Sequence, residues 1–274
     1  MRVMLLDLPD IIAESGVHVV TYPNWQTRAR RAGGFIDVRG VCAHHTASNT
    51  HPDNDMGWMW TNSPDRPIGN IFLDRTGKVT VGAAGASNTQ GRGGPVQTSK
   101  GEVPLDQGND YLIAIEAAND GTGEVWPDVQ VDAYLAMIAA LVDGYGLEPG
   151  DVFTHAGWTP GRKVDPAGPT PSHPTLGGLT GRTTWPQSAL RALIAERLTD
   201  PNPDTEDDMT AILYRHPHYH NVWLIGPGGA VHLSPEMAKH YRKLGLHEVT
   251  EAHPQALKSA LYTSGTSYSD LVGA

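Results

Sequence analysis

Apolar and polar positions along the chain fall into a long region of alternating strand and helix patterns, followed by a short tail. Between Asp128 and Tyr145 the residues Val131, Tyr134, Leu135, Ile138, Leu141 and Val142 recur at three- and four-residue steps. This spacing predicts an amphipathic helix, stopped by Gly144 and Gly146. A second is predicted over residues 185–198, with Leu190, Leu193, Ile194 and Leu198 on one side. Residues 1–14 predict a short helix, Pro9 lying near its start and Ile11, Ile12 and Ala13 forming its apolar side. Residues 111–118 (YLIAIEAA) are nearly continuous in apolar side chains, the pattern of a strand covered on both faces, and Asn119-Asp120-Gly121 ends it. Residues 67–81 predict a β-hairpin, with strands Ile71–Leu73 and Val79–Val81 around a turn at residues 74–77. Further strands are predicted over residues 40–43 and 150–154. Together these elements predict an α/β domain over residues 1–199: a mixed central β-sheet flanked by helices.

The intervening stretches are polar or biased. Residues 83–101, rich in Gly, Ser, Asn and Thr, predict a long surface loop of the kind that commonly carries function. Residues 56–60 (MGWMW) read either as core packing or as the aromatic wall of a sugar or peptide groove. Residues 22–34 (YPNWQTRARRAGG) are either a solvated charge run or a rim for an acidic polymer. Residues 200–208 (DPNPDTEDD) contain nothing apolar and predict a linker. Beyond it, residues 209–274 predict a small α+β module. Its short strands are expected over residues 211–214, 221–225 and 230–233, with a helix capped by Ser234 running to Leu244 and another over residues 253–262. The seven histidines between His216 and His253 are scattered and read as non-ligands.

Composition narrows the partners. A formal net charge of −10 argues against a nucleic-acid backbone as ligand, since nothing would neutralise its phosphates. Only one cysteine, Cys42, is present, so no intrachain disulfide can form and oxidising secretion is not expected. Asp7 and Pro9 interrupt the apolar start of the chain, so no signal peptide is expected, and no apolar run reaches membrane-spanning length. The expected setting is a cytoplasm.

Candidate chemistry concentrates in residues 154–166 (THAGWTPGRKVDP), where His155, Lys163 and Asp165 occupy one short segment. Two prolines and two glycines there predict a shaped loop rather than a helix. If the loop curls back, His155 and Asp165 address one spot, as nitrogen and oxygen ligands of a zinc site do; a Gly/Pro surface loop with solvated charges is the alternative. Upstream, the strand at residues 40–43 ends at His44-His45, neighbours that face opposite ways, so at most one joins a given site. His44 is the candidate, at the opening of a polar loop. Cys42 shares its face and reads as a buried small hydrophobe. Glu116 lies inside an apolar strand, where a carboxylate must be paired, lie near a metal or be protonated; a structural pair with an arginine and a catalytic base are both open. The chain has no HExxH helix and no His-x-Glu…Cys-x-x-Cys pair, which excludes two other zinc hydrolase classes.

Read together, HHTA at 44–47, IAIEAAN at 113–119 and HAGWTPGRKVDP at 155–166 resemble the zinc-dependent type 2 N-acetylmuramoyl-L-alanine amidases, which share a fold with peptidoglycan recognition proteins. The likeness is in particular to endolysins of phages that infect actinobacteria, and covers roughly residues 20–198. It implies His44, His155 and Asp165 as ligands of Zn²⁺, Glu116 as proton acceptor and donor, and Lys163 as the group that stabilises an oxyanion. It further implies peptidoglycan as substrate, the bond between N-acetylmuramic acid and L-alanine as the one cut, and the cytoplasm of an infected bacterial host as the location until release to the wall. The alternative is a peptidoglycan-binding protein without catalysis. The tail lies outside the resemblance, and is expected to bind cell wall or to self-associate. Two departures stand out: some relatives have a catalytic Tyr where this chain has Gly69-Asn70-Ile71, and many phage relatives have a His where it has Ser87-Asn88-Thr89-Gln90.

Overall fold

The structure is a computed structural model that describes residues 2–30, 32–48, 58–60, 66–199, 212–215, 222–226, 229–235, 239 and 248–249. The chain divides into two units, Met1–Pro201 and Asn202–Ala274.

At the centre of the first unit is strand β7 (Leu112–Ala117), whose six residues are all buried, as their apolar run predicts. On one side it pairs in parallel with β2 (Gly40–His45), which pairs in parallel with β8 (Val152–Thr154). On the other it pairs in parallel with β3 (Ile71–Leu73), the first arm of the hairpin completed by β4 (Val79–Val81). An outer strand, β1 (Val19–Thr21), lies parallel to β4, so the sheet order is β1-β4-β3-β7-β2-β8. The sheet is mixed because a tight turn can only reverse the chain, whereas the other neighbours are reached by long crossovers.

Period-two alternation separates the two faces. Val41, Ala43, Ile113, Ile115 and Val152 point into the main core, which α2 (Asp128–Gly144) covers with Val131, Tyr134, Leu135, Ile138, Leu141 and Val142. The helix ends where Gly146 takes φ +58°, letting Leu147 N–H reach the carbonyl of Val142 at 2.7 Å. Helices α1 (Leu8–Ala13) and α4 (Gln187–Thr199) pack beside α2. The opposite face carries two smaller apolar clusters. One contains Cys42, Leu112, Phe153 and Trp158; the other contains Met59, Trp60, Phe72 and Ala118.

Two expectations change here. Residues 83–101 are not simply a surface loop: residues 83–87 are buried, and the segment also contributes β5 (Val96–Thr98), paired with β6 (Gly101–Val103). Small side chains allow this, because Gly93 and Gly108 lie flat against the indole of Trp158; a Cβ at either would stand within 3 Å of the ring. In residues 22–34, Arg28 is neither solvated nor on a rim. It is buried and donates to the carbonyls of Trp60 (2.7 Å) and Pro23 (3.1 Å), while Arg30 pairs with Asp110 at 3.3 Å.

The second unit contains a four-stranded sheet in the order β11-β10-β9-β12, formed by Ile212–Arg215 (β9), Val222–Gly226 (β10), Gly229–Leu233 (β11) and Glu248–Val249 (β12). The linker at 200–208, the helix at 253–262 and most of the helix at 234–244 lie outside the described residues. Among the described residues, no helix is long and apolar enough to cross a membrane.

Candidate functional site

Strand alternation selects His44 over His45. His44 leaves the sheet on the face of Cys42, opposite the main core, and its register partner in β7 is Glu116, so both side chains emerge side by side. The backbone at His44 is held from behind: the Tyr134 hydroxyl accepts its N–H at 2.9 Å and donates to its carbonyl at 2.9 Å.

β8 ends at Thr154, opposite Ala43, and the chain turns at once into the short helix α3 (His155–Trp158). This helical turn corrects the expectation of an uninterrupted loop. The prolines of the segment fall only at 160 and 166, and Thr154 caps the turn by accepting the Gly157 N–H at 3.0 Å. The segment then curls back, and Ala156 N–H donates to the carbonyl of Asp165 at 2.9 Å.

The result is a buried cluster of His44, His155 and Asp165 whose ligand atoms lie within 4.8 Å of one another. His155 Nδ1 is 2.8 Å from Asp165 Oδ2, His44 Nδ1 is 3.3 Å from the same oxygen, and the two Nδ1 atoms are 2.9 Å apart. Burial drives the His44 pKa down to about 4, against the pull of Asp165, so this ring is neutral at physiological pH. For Asp165, burial acts upward, but hydrogen bonds and charge from both imidazoles hold the carboxyl well below the usual carboxylate range. Two nitrogens and a carboxylate oxygen are the donor set of hydrolytic zinc; bonds of about 2.0–2.1 Å in a tetrahedron separate ligand atoms by about 3.3 Å. The cluster matches that chemistry and nearly that size.

The three residues line a cavity of about 270 Å³ together with Glu116, Lys163, His45, Trp58 and Met59. Glu116 is buried on its floor and Lys163 is exposed. His45 is held by its Nδ1, which accepts the Ala167 N–H at 3.1 Å, and stays out of the cluster. The aromatic patch divides: Met59 and Trp60 are buried, whereas Trp58 is 58% exposed on the cavity wall. Cys42 also stays outside the cluster; burial first, then the charges of Asp165 and Glu116, push its thiol well above the usual range. Asn70, at the position of the relatives' Tyr, does not line the cavity. It donates to the carbonyls of Ala83 (3.0 Å) and Gly85 (2.7 Å) and accepts from Ser87 Oγ (3.2 Å) and Ala114 N–H (3.1 Å).

One close neighbour of the cluster enters the sequence reading only as part of residues 87–90, where many phage relatives have a His. Gln90 is fully buried, with Oε1 2.9 Å from His44 Nε2 and its backbone carbonyl 3.1 Å from His155 Nε2.

No curated protein matches the chain. Among solved structures, it is similar to the Staphylococcus aureus hydrolase AmiA in complex with its ligand, at 18% identity and TM-score 0.42, over 70% of this chain and 90% of that one. It is also similar to the N-acetylmuramoyl-L-alanine amidase LysC from Clostridium intestinale, at 13% identity and TM-score 0.40, over 65% and 97%. Residues 34–168, which contain His44, Glu116, His155, Lys163 and Asp165, match the family described as N-acetylmuramoyl-L-alanine amidase. Residues 34–168 are thus a domain of the type 2 N-acetylmuramoyl-L-alanine amidase family.

Proposed function

We propose that this protein is a phage endolysin that hydrolyses, with zinc, the amide bond between the lactyl group of N-acetylmuramic acid and L-alanine in bacterial peptidoglycan. The observation that carries this reading is the meeting of His44, His155 and Asp165 beside Glu116 and Lys163 in one cavity, inside the family-matching segment. A zinc ion held by the three ligands supplies Lewis acidity, polarising a carbonyl and lowering the pKa of a water from ~16 toward ~7.

The chain's own groups do the rest. Glu116 lies beside His44 in register, and takes the proton of the water that attacks the carbonyl carbon. It later returns that proton to the L-alanine nitrogen, so the amine leaves uncharged as the C–N bond breaks. Lys163 brings an ammonium to the oxygen on which negative charge develops. Trp58 offers an exposed aromatic face to the glycan or the peptide. The endolysin assignment rests on the motifs at 44–47, 113–119 and 155–166, and with it goes residence in the host cytoplasm until release to the wall. For the second unit we favour wall binding, which raises the local concentration of the first at its substrate.

The test is digestion of purified peptidoglycan with mass analysis of the products, alongside metal analysis of the protein. Stem peptides with a new free L-alanine amine, and about one zinc per chain, are expected. Binding to the wall without amine release would replace this reading with that of a non-catalytic recognition protein.

A further inference from the structure

We propose that Gln90 is a positioning residue that fixes the proton arrangement of both histidine ligands, presenting their Nδ1 lone pairs to the metal. This rests on the zinc reading above and adds a residue to it. A carbonyl oxygen only accepts hydrogen bonds, and Gln90 meets each imidazole with one: Oε1 at 2.9 Å from His44 Nε2 and the main-chain oxygen at 3.1 Å from His155 Nε2. In neutral rings that bind a metal, both Nε2 atoms therefore carry the proton. The Nδ1 atoms are thereby the ones left for a metal; without one they face each other and the Asp165 carboxylate, which can hold a proton there in the metal's place. The amide orientation is itself set, because Gln90 Nε2 faces the carbonyl of Leu112 at 3.4 Å; the flipped amide would bring two oxygens together there.

The residue is held in place from several sides. Asn109 Oδ1 accepts the N–H groups of Thr89 (2.9 Å) and Gln90 (2.8 Å), and Trp158 Nε1 donates at 3.1 Å to the carbonyl that faces His155. The arrangement separates the two ligands' dependence on this residue. His44 relies on the side chain, whereas His155 relies on the backbone and is indifferent to substitution. A metal-bound histidine is commonly oriented by a hydrogen bond at its other nitrogen, and losing such a partner weakens metal binding about 10- to 100-fold. Here one residue supplies both partners.

The experiment compares the full chain with Gln90→Leu and Gln90→Glu. Zinc affinity is read by competition with a chromophoric chelator, and the histidine tautomers by long-range ¹⁵N–¹H NMR of the metal-free proteins. Gln90→Leu is expected to bind zinc about 10- to 100-fold more weakly. In it the share of His44 protonated on Nε2 should fall, while that of His155 stays as in the parent. Gln90→Glu, whose buried carboxyl is protonated toward the Leu112 carbonyl and accepts the His44 hydrogen bond through its other oxygen, is expected to keep the His44 tautomer and to lose less than about tenfold in zinc affinity. A folded Gln90→Leu protein with parental affinity and unchanged His44 would overturn the proposal. So would a Gln90→Glu protein that loses the His44 tautomer, and this variant decides alone if Gln90→Leu does not fold. A parent chain that takes up no zinc would sink the metal reading instead, and the tautomers of its metal-free form would still decide the role of Gln90.

Discussion

Asn70 offers the sharpest test of how the sheet supports the site. Its side chain joins β3 to the buried start of the Gly-rich segment through Ala83, Gly85 and Ser87, and to β7 through Ala114. Asn70→Ala removes all four bonds. Ser87 retains Thr89 as a partner at 2.9 Å, but the carbonyls of Ala83 and Gly85 and the N–H of Ala114 lose theirs. At about 1 kcal/mol for each backbone bond lost, the variant should be less stable by about 3 kcal/mol. For a unit of this size that lowers Tm by about 6–12 °C. Asn70→Asp keeps the shape but turns a carboxylate toward two carbonyls, so the new carboxyl is held protonated and its folded pKa is raised. A group of this kind stabilises below its unfolded pKa and loses that contribution as pH rises, so this variant should be most stable in acid and weaken above about pH 4. Urea unfolding followed by tryptophan fluorescence measures both, since Trp60, Trp126, Trp158 and Trp185 are buried. An Asn70→Ala protein within about 1 kcal/mol of the parent would refute the bracing role.

Other outcomes follow from the site. Asp165→Ala or His155→Ala should abolish zinc retention and peptidoglycan hydrolysis together, as measured by metal analysis and amine release on the same preparation. Glu116→Gln should retain zinc while turnover falls by about 10²- to 10⁴-fold; full activity in that variant would remove Glu116 from proton transfer. Cys42 is fully buried with its thiol pushed upward, so aromatic disulfide reagents should label it only at the rate of unfolding. Deleting residues 209–274 should reduce sedimentation with cell walls and leave the number of subunits per assembly unchanged if the second unit binds wall; a fall in subunit number would assign it to self-association.

The legible parts of the sequence were those in which one local pattern decides the outcome. The three- and four-residue recurrence from Val131 to Val142 marks a helix whose one face is covered, and the apolar run before Glu116 marks a strand covered on both. β1, β5 and β6 are as short as β3 and β4 but, unlike them, mostly not buried, so burial imposes no pattern on their residues, and β1 owes its place to parallel pairing with β4. Arg28 reads as solvated or as part of a rim because a charge run by itself cannot reveal that the carbonyl of Trp60, 32 residues away, will accept its guanidinium. Gly93 reads as a loop residue, although its role is to leave room for an indole that comes from α3. Within the site, His155 and Asp165 were readable because ten residues separate them along one segment. Gln90 lies 46 residues from His44 and 65 from His155, and no short motif joins residues so far apart.

β7, β2 and β8 run in the same direction, so the carboxyl ends of three neighbouring strands open on one edge, and the cluster of His44, His155 and Asp165 sits there with Glu116. The backbone that anchors this chemistry is interior, while the connections leaving those ends form the border around it. Such a layout uncouples inheritance of the reaction from inheritance of the target. Border segments can be exchanged between homologues to retune which wall polymer is admitted, with the strand ends underneath left as they are.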